Sequence, residues 1–191
     1  MINSELGHVK TVAEFQQSIR EQQEAAHGKD YTAIHDAIAK YMVDCDSYME
    51  LGVHQGGTAS AAMLTNPKMV QLVDIDMSRY YKFLSPLAEK YCAENNIQLN
   101  VKECDSRGLG AMASVDMLVI DSVHTAPFMK SELDVHGANV RKYILAHDTH
   151  KLFNKVDEQL HNCLVGWGNK NGFELIERGT TNVGYTVIKR K

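Results

Sequence analysis

The residues with chemistry to offer collect in five short stretches: Glu50 with Gly52, Asp74 with Asp76, Cys104 with Asp105, Asp121, and His147 with Asp148. Each ends a run that reads as a strand. A ring of acids at strand ends suits a polar, hydroxyl-rich or cationic ligand, and we read the set that way rather than as helix caps and loop residues. The stretch Glu50-Leu51-Gly52-Val53-His54-Gln55-Gly56-Gly57-Thr58 is a strand that stops at a glycine turn before a helix. Glycine is needed where the backbone takes a positive φ or approaches a ligand closely. The spacing is G-x-x-x-G-G, so the dinucleotide fingerprint fails, and without G-K-[ST] the P-loop fails too. Asp74 lies about 20 residues beyond the turn, where an acid suits bidentate hydrogen bonding to a ribose diol. Asp76 is the other acid that could do so, with the cap of the helix near Ser78 as its competing reading. Asp105 has two readings: an acceptor for the exocyclic amine of an adenine, or the cap of the next turn.

Alternating strands and helices must hold these stretches. Strands are expected at 48–52, Met69–Asp74, Ile97–Glu103, Val115–Asp121 and Lys142–His147. Helices are expected over Thr58–Leu64, Ser78–Asn95 (bent at Pro86), Pro127–Val140 and Phe153–Gly168. A hairpin closes the pattern, with strands Phe173–Arg178 and Val183–Lys189 around the turn Gly179–Asn182. The alternation predicts an α/β, doubly wound, mostly parallel sheet that the hairpin makes mixed. Ligands of such sheets bind at the carboxyl ends of the strands, near the switch in strand order. Ahead of it, Thr11–Ala26 reads as a helix with Val12, Phe15 and Ile19 on its apolar face. A second helix runs from an Asp30 cap to about Val43, with Ala33, Ile34, Ala37, Ile38 and Tyr41 as its stripe. We expect residues 1–46 to form an N-terminal helical extension outside the core, and 47–191 the ligand-binding domain.

At 191 residues one domain is the prior. The net charge is −4, from 20 Lys+Arg against 24 Asp+Glu. That excludes a strongly basic surface, so autonomous nucleic-acid binding is not expected. Cys45, Cys92, Cys104 and Cys163 form no CxxC pair, which argues against a zinc ribbon, a thioredoxin site or a disulfide framework. No apolar run reaches the ~20 residues of a membrane span, and the first residues lack a signal-peptide core. The expectation is a soluble chain in the reducing cytoplasm, with no membrane partner.

In order and spacing, the acids and glycines resemble the class I S-adenosylmethionine-dependent methyltransferases. These carry E-x-G-x-x-x-G after the first strand, an acid after the second and another after the third. Their fold is a Rossmann-like seven-stranded sheet with an antiparallel strand near the C-terminus. The resemblance runs from Ser47 to the C-terminus. It implies S-adenosylmethionine as cofactor, with Glu50, Gly52, Gly56 and Gly57 at its methionine part and Asp74 on the ribose. Asp105 and Ser106 would stand at the adenine, and Asp121 would complete the set.

Ile120-Asp121-Ser122-Val123-His124-Thr125, His147-Asp148-Thr149 and Gly56-Gly57-Thr58 look like the cephalosporin hydroxylase-like and sugar O-methyltransferase-like branch. There, an I-D-x-x-H segment and an acid-Asp pair hold a divalent metal beside the methyl group. The implied ligands are Asp121, His147 and Asp148. His147 stands where the branch often has an acid, so either the ion is Mn²⁺, Fe²⁺ or Zn²⁺ instead of Mg²⁺, or His147 is not a ligand. Some relatives carry a second acid, usable as a base, where this chain has Val123. His124, His147 and His150 are then the candidate catalytic bases. The implied activity is metal-assisted O-methylation of a small hydroxyl acceptor such as a sugar. One alternative is a macromolecule methyltransferase, although no N/D-P-P-[YF] signature follows the fourth strand. Another is a degenerate cofactor-binding protein, which Val123 suggests. A homo-oligomer is the remaining expected partner.

Overall fold

In the computed structural model, which describes residues 9–110, 113–152 and 155–191, two helices precede a seven-stranded sheet. The helices are α1 (Val12–His27) and α2 (Ala33–Met42). There follow β1 (Ser47–Leu51), α3 (Gly57–Met63), β2 (Met69–Asp74), α4 (Ser78–Phe83), α5 (Ser85–Glu94), β3 (Gln98–Glu103) and β4 (Val115–Ile120). The rest is α6 (Ala126–His136), β5 (Val140–His147), β6 (Lys151–Leu152), β7 (Lys155–Val156), α7 (Gln159–Lys170), β8 (Phe173–Gly179) and β9 (Tyr185–Arg190). The sheet order is β3-β2-β1-β4-β5-β9-β8, and β6 with β7 make a separate small hairpin. Strands β1 to β5 run parallel, while β9 is antiparallel to both β5 and β8. The order reverses between β1 and β4, so their carboxyl ends open the crevice in which such sheets take ligands.

Burial explains the central strands. All of β1 and β4 is buried, as parallel strands covered on both faces must be. Helix α1 starts at a capping box: Thr11 Oγ1 accepts from the Glu14 N–H at 3.1 Å, and Glu14 Oε2 from the Thr11 N–H at 3.2 Å. Phe15, Ile19, Ile34 and Ile38 pack into one apolar cluster with Tyr48, Val70, Leu72 and Met117. The N-terminal helices thus share a core with one face of the sheet. Each such side chain contributes about 1.5–3 kcal/mol on burial. A second cluster, around Leu133, Leu164, Ile144 and Phe173, covers the other face beneath α6 and α7.

Several boundaries differ from the sequence reading. Asp30 takes φ +65° in the turn, and Thr32 is the residue that precedes α2. The 78–95 helix is two helices broken at Leu84; Pro86 lies in the first turn of α5, where its missing N–H is no loss. Val140 opens β5 instead of closing a helix. Lys155 and Val156 pair with β6, so α7 begins only at Gln159; the expected start at Phe153 lies outside the described residues. The four cysteines are free. Among the described residues no helix is long and apolar enough to cross a membrane.

Candidate functional site

The carboxyl ends of β1 to β5 line one cleft of about 460 Å³, and α1, α2 and their connecting turn contribute Gln23, Tyr31, Ile34 and His35 to its wall. Small-molecule sites of this size are usual. The turn after β1 is built around Gly52, at φ +88°. A Cβ there would stand 2.2 Å from the Asp121 carbonyl oxygen, so only glycine lets the ends of β1 and β4 approach this closely. Asp74 secures the same turn. Its Oδ2 accepts from the N–H groups of Val53 (2.6 Å) and His54 (2.9 Å), and its Oδ1 from that of Asp76 (3.1 Å). Asp76 accepts from the Ser78 N–H at 2.9 Å, the helix-start bond of its competing reading.

Glu50 does not line the cleft. It is fully buried beneath the glycine turn, where Thr58 donates to Oε1 and Tyr48 to Oε2 (2.8 Å). Burial pushes its carboxyl up to about 8, against the lowering effect of those two hydroxyls. Expected at the cofactor, it instead props the turn from below. Gly56 is likewise outside the lining, while Gly52 and Gly57 are in it.

Asp105 caps its own turn. Oδ1 accepts from the Arg107 N–H (2.9 Å) and Nε (3.0 Å), and Oδ2 from Nη2 (2.7 Å). These side-chain and backbone bonds hold the carboxyl down at about 2. The Arg107 guanidinium lies 4.2 Å from the ring centroid of Phe128, and both residues line the cleft. Ser106 is turned to Glu132 of α6. Glu132 is fully buried and accepts from Ser106 (2.6 Å) and Ser122 (2.7 Å), which ties the loop after β3 to the end of β4.

Beyond β4 and β5 an acid–imidazole cluster forms. Asp121, His124 and Asp148 place potential ligand atoms within 4.8 Å of one another. His124 Nε2 lies 2.9 Å from Asp148 Oδ2 and 3.4 Å from Asp121 Oδ1. Hydrogen bonds to Asp121 and Asp148 push its imidazole up to about 10. His147 Nδ1 lies 3.2 Å from Asp121 Oδ2. Burial pulls His147 down, but the charge of Asp121 and its hydrogen bond outweigh that and leave it raised. Burial would raise Asp121, yet the two imidazoles hold it well below the usual carboxylate range. Asp148 adopts φ +53°, in the left-handed region.

The grouping adds His124 to the expected ligand set: it joins the two acids, and His147 Nδ1 lies 3.8 Å from Asp148 Oδ2 as well as 3.2 Å from Asp121 Oδ2. Nε2 of His124 faces both acids, so one atom cannot ligate and take a proton at once. His150 is outside the cleft lining; its N–H donates to Val183 O (2.8 Å) and its Nδ1 is 4.0 Å from Glu158 Oε1. It does not join the other two histidines. Val123 is 47% exposed and lines the cleft.

Sequence reasoning passed over Gln23, Tyr31, His35, Gln55, Arg107 and Phe128, all of which line the cleft. The one available signal was His35, a histidine set beside Ile34 on an apolar helix stripe. It is 2% exposed, and burial brings its imidazole down to about 3, so it is neutral. Tyr31 stacks on His27 at 4.4 Å and meets His147 edge-on at 5.7 Å.

Strand order, an antiparallel β9 between β5 and β8, and a cleft at the carboxyl ends together define the fold of the class I methyltransferases. No family model matches the sequence, and no curated protein does. Solved structures do. A Staphylococcus aureus protein assigned as a caffeoyl-CoA O-methyltransferase superposes with a TM-score of 0.65 at 11% identity, covering 97% of this chain and 94% of that one. Magnesium protoporphyrin IX methyltransferase from Synechocystis PCC 6803, with S-adenosylhomocysteine bound, gives 0.58 at 12%, covering 96% and 89%. A ribosomal protein L11 methylase from Lactobacillus delbrueckii subsp. bulgaricus gives 0.57 at 15%, covering 84% and 78%. At such identities the likeness is one of fold.

Proposed function

We propose that this chain binds S-adenosylmethionine and transfers its methyl group to an oxygen of a small molecule, with a divalent ion at Asp121, His124 and Asp148. The observation that carries the reading is the acid–imidazole cluster at the ends of β4 and β5, in the same cleft as the glycine turn and Asp74. Two carboxylates and an imidazole suit Mn²⁺, Fe²⁺ or Zn²⁺ better than Mg²⁺. The site also fits a cation by charge, since two carboxylates converge there on one imidazole. An ion bound there would lower the pKa of an acceptor hydroxyl and fix its oxygen.

The chain's own groups supply the rest. Gly52 and Val53 let the cofactor lie against the end of β1, and Asp74 orients the ribose with lone pairs that the turn leaves unused. Phe128 and Arg107 form an adenine wall, and His147, the cleft imidazole that the ion leaves free, is the group to receive the hydroxyl proton. Positioning is the larger part of such catalysis, because the sulfonium is already a good leaving group. Structures alike in fold include a 16S rRNA methylase, but a net charge of −4 and acids around this cleft oppose a phosphate backbone.

Titration calorimetry of the full chain with S-adenosylhomocysteine, with and without Mn²⁺, tests the reading. Binding is expected. Asp74→Ala should weaken it by roughly tenfold or more, the loss of a half-buried carboxylate acceptor. Asp121→Asn should leave it nearly intact while abolishing Mn²⁺ binding. A chain that binds neither S-adenosylmethionine nor S-adenosylhomocysteine refutes the proposal.

A further inference from the structure

Three buried polar side chains beside the acid–imidazole cluster have no part in the chemistry above. Thr186 of β9 donates its hydroxyl hydrogen to Thr149 Oγ1 at 2.9 Å, and His161 Nδ1 of α7 stands 2.9 Å from Thr186 Oγ1. A hydroxyl has one hydrogen to give, so the imidazole is the donor of the second bond and carries its hydrogen on Nδ1. Burial and the charge of Arg178 hold His161 below its ordinary range, which keeps the ring neutral and the chain of bonds uncharged. Both threonines are 0% exposed and His161 is 9% exposed. Buried hydroxyls are costly to desolvate, and valine has the shape of threonine, so packing alone asks for no hydroxyl at either position. What the bonded hydroxyls add is a fixed geometry.

The geometry they fix belongs to the neighbouring residue. Asp148 lies between His147, the last residue of β5, which pairs with Tyr185, and Thr149. Its backbone is in the left-handed region at φ +53°, which even aspartate enters only where its surroundings hold it there. Upstream, the ladder from β5 to β9 does the holding. Downstream, the His150 N–H donates to Val183 O at 2.8 Å, but the Thr149 N–H reaches Gly184 O only at 3.4 Å. A bond that long is weak, so the side chain of Thr149, held by Thr186, is the firmer tie. Thr186 is itself fixed in the sheet between Ala146 and Arg178. We infer that Thr149, Thr186 and His161 are positioning residues for the ion. They anchor the residue after Asp148, so that the Asp148 carboxylate stays 2.9 Å from His124 Nε2. The inference rests on the ion site of the methyltransferase reading and gives α7 and β9 a part in it.

Mn²⁺ titration of the full chain, followed by electron paramagnetic resonance of the free ion, reads this role, with S-adenosylhomocysteine calorimetry as the control. Thr186→Val keeps the shape and loses the hydroxyl. Its Mn²⁺ affinity is expected to fall by roughly 10- to 100-fold, the usual span for a residue that orients a metal ligand. Its affinity for S-adenosylhomocysteine should stay at the parental level. Thr186→Ser returns the hydroxyl and should recover most of the Mn²⁺ affinity. Thr149→Val, at the other end of the same bond, should repeat the Mn²⁺ loss, and the double valine variant should lose no more than either single one. Circular dichroism melts show which variants are folded, and Thr149→Val carries the test if Thr186→Val is not. Parental Mn²⁺ affinity in a folded valine variant, a serine variant as weak as the valine one, or equal losses for both ligands overturns the positioning role. A parent chain that binds S-adenosylhomocysteine but no Mn²⁺ overturns the ion reading itself, and this role with it.

Discussion

Replacing Glu50 with Gln should flatten the dependence of stability on pH, with a sign unusual for an acid. The carboxyl is fully buried and is pushed up to about 8 from an ordinary 4.5. Between those values the folded chain keeps a proton that the unfolded chain has released. Its contribution to stability is therefore fully present below about pH 4.5, falls as pH rises, and is gone above about 8. At roughly 1.4 kcal/mol per pH unit, the loss across the window is on the order of 5 kcal/mol. Gln keeps the shape and an acceptor for Thr58, and its amide N–H can donate to a reoriented Tyr48 hydroxyl. It has no proton to lose in this range. Urea unfolding of both proteins, from about pH 5 to about pH 8, reads the difference. The stability of the variant minus that of the parent should climb by about 1 kcal/mol per pH unit, whatever its offset. Parallel curves would refute the reasoning, because they would mean that Tyr48 and Thr58 satisfy a carboxylate already charged in the folded chain.

Two further perturbations probe the framework of the site. Gly52→Ala sets a Cβ against the Asp121 carbonyl at φ +88°; strain and overpacking together should cost about 2–5 kcal/mol by urea unfolding, and a variant of parental stability would show that β1 and β4 can part freely. Glu132→Leu strips the acceptor from Ser106 and Ser122; a loss of about 2–4 kcal/mol and weaker S-adenosylhomocysteine binding are expected, with Glu132→Gln recovering most of both, and equal behaviour of the two variants would contradict the tie.

Much of the sheet was legible because burial decides it. The runs Tyr48–Leu51, Val70–Val73 and Val115–Ile120 are too apolar for anything but central strands, and the alternation with helices sets which ends face together. That geometry brought Gly52, Asp74, Asp105, Asp121 and Asp148 to one cleft. Glu50 escaped because side chains on a strand alternate between faces. It shares a face with Tyr48, two residues back, and so points under the turn. Val140 was misplaced because a β-branched residue at a helix end competes with the start of the next strand. The place of His124 between the acids was beyond spacing: no residue type announces that the ends of β4 and β5 bring Asp148 within 2.9 Å of it. Gln23 and His35 were hidden for a different reason. The rotation of an amphipathic helix against its neighbour is settled by packing, and polar residues on its flank look alike until it docks.

The backbone at position 148 also constrains how this site can change. At φ +53° few side chains are comfortable: glycine, asparagine and aspartate chiefly, while others lose about 1–2 kcal/mol. Of those three, aspartate alone carries a charge. Lengthening the acid to glutamate is therefore disfavoured by the fold before any ligand is considered. Asparagine and glycine codons both lie a single base from those of aspartate. The fold thus leaves the negative charge on this wall easy to erase by mutation and hard to tune. Among descendants of this gene, position 148 should behave as a switch with two settings rather than a graded control.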